Sequence, residues 1–159
     1  MATYKEIQGF AVQNFSQDPV PTVAGWTSGG SLSTARSAIA GAGTQTAGLA
    51  FGGEVPPFQS STEEYNGSGW SAGGAMNQAR TDVGGTGTQT AALGFGGYNP
   101  PPGAVNNSEE YNGSSWTAGN NINTARSNTW GYGPQTAGNI VGGAAPSTGL
   151  TNYETYDRK

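Results

Sequence analysis

The sequence predicts an all-β fold built from three copies of one short unit. Three observations carry this. Trp26, Trp70 and Trp116 stand 44 and 46 residues apart, and Arg36, Arg80 and Arg126 keep the same spacing. Gly52-Gly53, Gly96-Gly97 and Gly142-Gly143, with Gln45, Gln89 and Gln135 (each followed by Thr), repeat with them. Many markers drifting together at one period in the forties mark a repeat architecture, in which each unit buries its face against its neighbours. The apolar residues are small or β-branched and show no stripe of helical period, and each glycine would weaken a helix by about 1 kcal/mol relative to Ala.

Within a unit the elements follow in order. The first strand comes after the arginine, Ser37 to Ala42 in the first copy. The second runs from Thr46 to Phe51 and ends at the double glycine. The third is Thr62 to Tyr65, in the series Glu63-Glu64-Tyr65, Glu109-Glu110-Tyr111 and Glu154-Thr155-Tyr156. Asn66-Gly67 then predicts a tight hairpin turn with positive φ angles, and a fourth strand opens at the next tryptophan. The units span residues 26–69, 70–115 and 116–159, within a region 25–159 that follows an N-terminal segment, 1–24.

An arginine before the first strand, an apolar strand ending in Gly-Gly, an acidic-Tyr strand and then a tryptophan resemble the kelch repeat of β-propellers. The resemblance covers Trp26 to Lys159. It departs from the family pattern in its Asn-Gly-Ser turn and its high Gly, Ala and Thr content. That idiom, with Gly-Thr-Gln-Thr-Ala and Glu-Glu-Tyr-Asn-Gly-Ser, is similar to the Gly-rich kelch-like repeats in virion proteins of marine and cyanobacterial tailed phages. The resemblance implies three four-stranded blades per chain, with the tryptophan in the core between blades.

Composition sets bounds. The length, 159 residues, suits one domain. Leu, Ile, Val and Phe total 20 residues, below the usual floor for a globular core. A net charge of only −4 and aromatic residues at fixed repeat positions argue for a fold made of many thin units rather than disorder. Cysteine and histidine are both absent, which excludes disulfides and thiolate chemistry. No apolar run approaches the roughly 20 residues of a membrane span. The N-terminus lacks the basic and apolar segments of an ordinary signal peptide, so release from a cell would take another route, such as lysis.

The N-terminal segment carries Tyr4, Ile7, Phe10, Val12 and Phe15, an apolar set better suited to a docking arm than to a frayed, solvated tail. The Pro56-Pro57 and Pro100-Pro101-Pro102 loops vary in length while the strands do not, which marks either a binding surface or stiffened connections. Three blades are fewer than the four to eight that close a propeller. Two chains would give six, with the Trp26 strand of one completing the last blade of the other in a two-fold homodimer. A monomeric β-trefoil is the alternative.

The search for chemistry finds no reaction centre. Glu63-Glu64 and Glu109-Glu110 invite a glycoside hydrolase reading, but neighbours in a strand point to opposite faces, and the pair recurs at one structural position, with Thr155 replacing a member. No acidic cluster has metal-ligand spacing, so no cofactor is expected; Ca²⁺ on scattered carbonyls stays open. Arg36, Arg80 and Arg126 would ring the propeller axis, either as an anion site or, preferred, as locks that pair with carbonyls or carboxylates between blades. Six basic residues against ten acidic ones give the wrong sign for nucleic acid. Trp26, Trp70 and Trp116 read as packing residues rather than sugar platforms. Trp130 breaks the repeat, standing where Ala40 and Gly84 stand; with Tyr132 and Tyr98 it is the candidate ligand or partner contact.

These readings converge on a non-enzymatic structural or adhesion protein of a phage virion: a capsid decoration, tail or fibre component. Its partners would be itself, other virion proteins and a host-surface glycan, with no membrane insertion. A carbohydrate-binding module, located extracellularly, is the alternative, and a glycoside hydrolase ranks below it.

Overall fold

The computed structural model describes residues 25–101, 103–145 and 148–158. The docking-arm residues Tyr4, Ile7, Phe10, Val12 and Phe15 lie outside them.

The described chain is all-β, in successive antiparallel sheets. The first sheet contains β1 (Ala40–Gly43), β2 (Gly48–Phe51), β3 (Thr62–Tyr65) and β4 (Trp70–Ala72), hydrogen-bonded in chain order. The second contains β5 (Gly84–Thr88) and β6 (Ala91–Phe95), then, after a small hairpin of β7 (Tyr98–Asn99) and β8 (Gly103–Ala104), β9 (Ser108–Tyr111) and β10 (Trp116–Ala118). The third contains β11 (Trp130–Tyr132), β12 (Asn139–Val141) and, after the hairpin β13 (Ala144–Ala145) and β14 (Thr148–Gly149), β15 (Tyr153–Thr155). A short 3-10 turn, Gln135–Ala137, joins β11 to β12. Where four strands per unit were expected, the third sheet has three among the described residues, because its outer tryptophan strand would have to come from beyond Tyr156.

The first and second strands are shorter than anticipated. Ser37 forms only an isolated bridge to Glu54, and equivalent bridges join Thr81 to Tyr98 and Ser127 to Ala144. Between them and each sheet the backbone kinks through Ala38, Asp82 and Asn128, all at φ near 50°. The Asn66-Gly67 turn also differs from expectation. Only Gly67 has positive φ, and the connection is a four-residue loop in which Asn66 Oδ1 accepts from the Ser68 and Gly69 amides at 3.0 Å. Asn112 repeats this with Ser114 and Ser115. The asparagine side chain closes the loop itself, so no two-residue turn is needed.

The core lies between sheets. Alternate residues of a strand point to opposite faces, so Ala92 packs toward the first sheet with Leu49, Phe51, Tyr111 and Trp116, while Leu93 packs toward the third with Phe95, Ile122, Ile140 and Tyr156. Glycine makes the approach possible. A Cβ on Gly131 would lie 2.3 Å from Phe95 Cζ, and one on Gly85 would lie 2.9 Å from Phe51 Cζ. Each phenylalanine therefore beds onto the first strand of the following sheet. Glutamine adds polar stitches. Gln89 Nε2 donates to the Gly48 and Tyr65 carbonyls at 3.0 and 2.7 Å, and Gln135 Nε2 to those of Ala92 and Tyr111 at 2.8 and 2.7 Å. Strands β1, β5 and β11 lie side by side and border a groove of about 270 Å³.

Candidate functional site

The repeated charged residues are structural. The Arg80 side chain is fully buried and donates to the Gly96 and Asn107 carbonyls at 2.7 and 2.9 Å and to Glu109 Oε1 at 2.6 Å. Glu109 Oε2 accepts from the Asn77 amide at 2.7 Å. Arg36 with Glu63, and Arg126 with Glu154, repeat this arrangement. The arginine backbone meanwhile holds the preceding unit, since Gly53 N donates to Arg80 O at 3.0 Å and Gly97 N to Arg126 O at 2.8 Å. Arg80 and Arg126 thus each tie one sheet to the next, the backbone on one side and the guanidinium on the other. Burial lowers the Arg80 pKa, and Glu109 opposes that shift. No face of these guanidinium groups is open to an external anion.

The second glutamate of each pair points the other way. Tyr111 OH donates to Glu64 Oε1 at 2.5 Å and accepts from the Gly74 amide at 3.3 Å. Tyr156 OH donates to Glu110 Oε1 in the next gap. Desolvation, helped by the Glu64 carboxylate, pushes the Tyr111 pKa up to about 12, and desolvation helped by Glu110 raises that of Tyr156. Glu63 and Glu64 therefore face opposite sides of β3, each already engaged. Among the described residues no group of three or more His, Cys, Asp or Glu is placed to hold a metal ion.

The three repeat tryptophans sit in three environments. Trp116 is buried between the first and second sheets, Trp70 is half-buried, and Trp26 is fully exposed. Trp130 and Tyr132 share one face of β11, whereas Tyr98 stands apart on the β7 hairpin, edge-on to Phe58 with ring centroids 6.2 Å apart. Trp130 and Tyr132 are thus neighbours on one sheet face, and Tyr98 belongs to a different hairpin.

What the structure adds to Trp130 and Tyr132 is Val141 and Tyr153. Val141 pairs with both Trp130 and Tyr153 across the sheet, so the four residues cover one face of the third sheet, and all four are exposed. The Tyr153 pKa is raised by desolvation and by its contact with Tyr132. In the first two sheets the corresponding rows, Ala40–Phe51–Thr62 and Gly84–Phe95–Ser108, are covered by the sheet that follows. Tyr153, like Trp130, breaks the repeat by putting an aromatic where Thr62 and Ser108 stand; comparison of the copies could have singled it out. No family model and no curated protein matches the chain. No helix among the described residues is long and apolar enough to cross a membrane.

Proposed function

We propose that the chain is a non-enzymatic structural or adhesion protein of a phage virion, a capsid decoration, tail or fibre component. In this reading it is a kelch-like β-propeller closed to six blades by two copies. The observation that carries the non-enzymatic part is the employment of the glutamates. Glu63, Glu109 and Glu154 are each bound to a buried arginine, and Glu64 and Glu110 each accept a hydrogen bond from a tyrosine hydroxyl. A general acid or base needs a carboxyl free to reach a substrate; these are spent on holding sheets together. The simple meander order of each sheet supports blades over a trefoil. The phage-like repeat idiom supports the virion setting, with residues 1–24 as the attachment arm.

The test is quantitative mass spectrometry of purified particles from a lysate that contains this chain. The expected result is the chain at fixed stoichiometry to the capsid protein. Its absence from washed particles would overturn the virion reading. A carbohydrate-binding module is the second reading, favoured by the aromatic pair Phe58 and Tyr98 at the hairpins. A glycan array on the full chain tests it: saturable binding lost in Tyr98→Ala supports that reading.

A further inference from the structure

Trp116 shows what the outer-strand tryptophan does when its surroundings are complete. Its indole lies between the first and second sheets, 4.7 Å from the Phe51 ring and 5.0 Å from the Tyr111 ring. Its Nε1 donates to Thr62 Oγ1 at 2.9 Å, and Met76 belongs to the same cluster. One unit further along the chain, Phe51, Thr62, Met76 and Tyr111 become Phe95, Ser108, Ile122 and Tyr156. These four residues line a cavity of about 240 Å³ between the second and third sheets. The outer strand that would deliver a tryptophan to it is the one the third sheet lacks among the described residues: β15 pairs with β12 alone.

We infer that this cavity is a socket for Trp26 of a second copy of the chain, whose residues 26–28 add to the open edge of β15. The register follows from the complete sheets, where Trp70 faces Tyr65 and Trp116 faces Tyr111. Trp26 then faces Tyr156, and Thr27 faces Thr155.

Two further features on the first sheet match the third. Gln45 is exposed, while its equivalents Gln89 and Gln135 each stitch two carbonyls of the preceding sheet; the corresponding carbonyls for Gln45 are those of Gly138 and Tyr156. Of the seven large hydrophobic residues exposed among those described, six lie at the two ends of the series: Trp26 and Ile39 at the start, Trp130, Tyr132, Val141 and Tyr153 on the third sheet. Large apolar side chains gathered on one exposed face, as on the third sheet, mark an interaction surface. Docking the front of one first sheet on the back of another third sheet covers both ends.

Trp26 of the same chain cannot reach this socket. Gly30 is held beside the first sheet, where its carbonyl accepts from Trp70 Nε1 at 3.0 Å. Four residues reach at most about 14 Å. Sheets stack roughly 10 Å apart, which puts the third sheet, two steps away, at about 20 Å.

The experiment uses the full chain, wild type and Trp26→Ala, in sedimentation velocity across a concentration series. Wild type is expected to self-associate, and Trp26→Ala to weaken association by roughly tenfold or more, as loss of a buried aromatic anchor does. Trp26 is fully exposed in the subunit, so the variant should keep the wild-type circular dichroism. The chain has no cysteine, so oxidation of Thr27→Cys/Thr155→Cys reports the register directly, and a disulfide between chains is expected. A monomeric wild type, unchanged association in Trp26→Ala, or a disulfide within one chain would each overturn the proposal. Cross-linked species larger than a dimer would uphold the socket while overturning the two-copy ring of the preceding section.

Discussion

Tyr111 of the second sheet donates a hydrogen bond from its hydroxyl to Glu64 of the first at 2.5 Å. The bond crosses the gap between sheets and lies at the edge of the packed cluster containing Phe51 and Trp116. It requires a neutral phenol, and that sets a pH limit.

The Tyr111 pKa is raised to about 12 in the fold, above the ordinary tyrosine value of about 10. A raised folded pKa means the protonated form is favoured by folding, so this stabilisation is complete below about pH 10 and is lost as pH rises through about 12. Denaturant midpoints should therefore fall between these values in wild type, and fall less in Tyr111→Phe. An equal decline in both would refute the assignment.

Glu109→Ala leaves Arg80 as a buried, uncompensated cation. Breaking one side of a buried pair costs about 3–5 kcal/mol, and urea unfolding should show a loss of that order. The double variant Arg80→Met/Glu109→Leu removes the buried charge but leaves the Gly96 and Asn107 carbonyls without their guanidinium donor, so it should remain destabilised by at least about 1–3 kcal/mol.

Gln135→Ala removes an amide that satisfies two buried carbonyls, those of Ala92 and Tyr111. Leaving buried polar groups unpaired costs about 1–3 kcal/mol each. The equivalent change Gln45→Ala, at an exposed position, should leave subunit unfolding within about 0.5 kcal/mol of wild type. Equal losses at both positions would show that Gln45 is already bonded within the subunit.

Gly131→Ala places a methyl 2.3 Å from the Phe95 ring. Overpacking of this kind costs roughly 1–3 kcal/mol, and the melting temperature should drop accordingly. Adding Phe95→Leu should return part of the loss by removing the ring edge, which a double-mutant cycle would measure as coupling.

Glu109→Gln also bears on catalysis. Incubation of the full chain with a panel of glycans is expected to give no turnover, and turnover that this substitution abolishes would restore the hydrolase reading.

The sequence by itself determined the repeat, the all-β class and the positions of β3, β4 and their equivalents, because a period carried by Trp, Arg, Gly-Gly and Glu-Tyr is a one-dimensional signal. It also showed Trp130 as a departure, since that needs only the alignment of the copies. Strand ends were less legible: the kink at Ala38 and the side-chain-closed loop at Asn66 depend on local hydrogen bonds that composition does not specify. Tertiary structure alone decided which side of each strand faces which neighbour. Glu63 and Glu64 are adjacent letters with opposite partners, one the arginine of its own sheet and the other the tyrosine of the next. Trp26, Trp70 and Trp116 are the same letter at the same position with exposed, half-buried and buried fates. The physical reason is that a side chain in a stacked sheet takes its environment from the sheets on either side, and only a three-dimensional arrangement says where the stack stops.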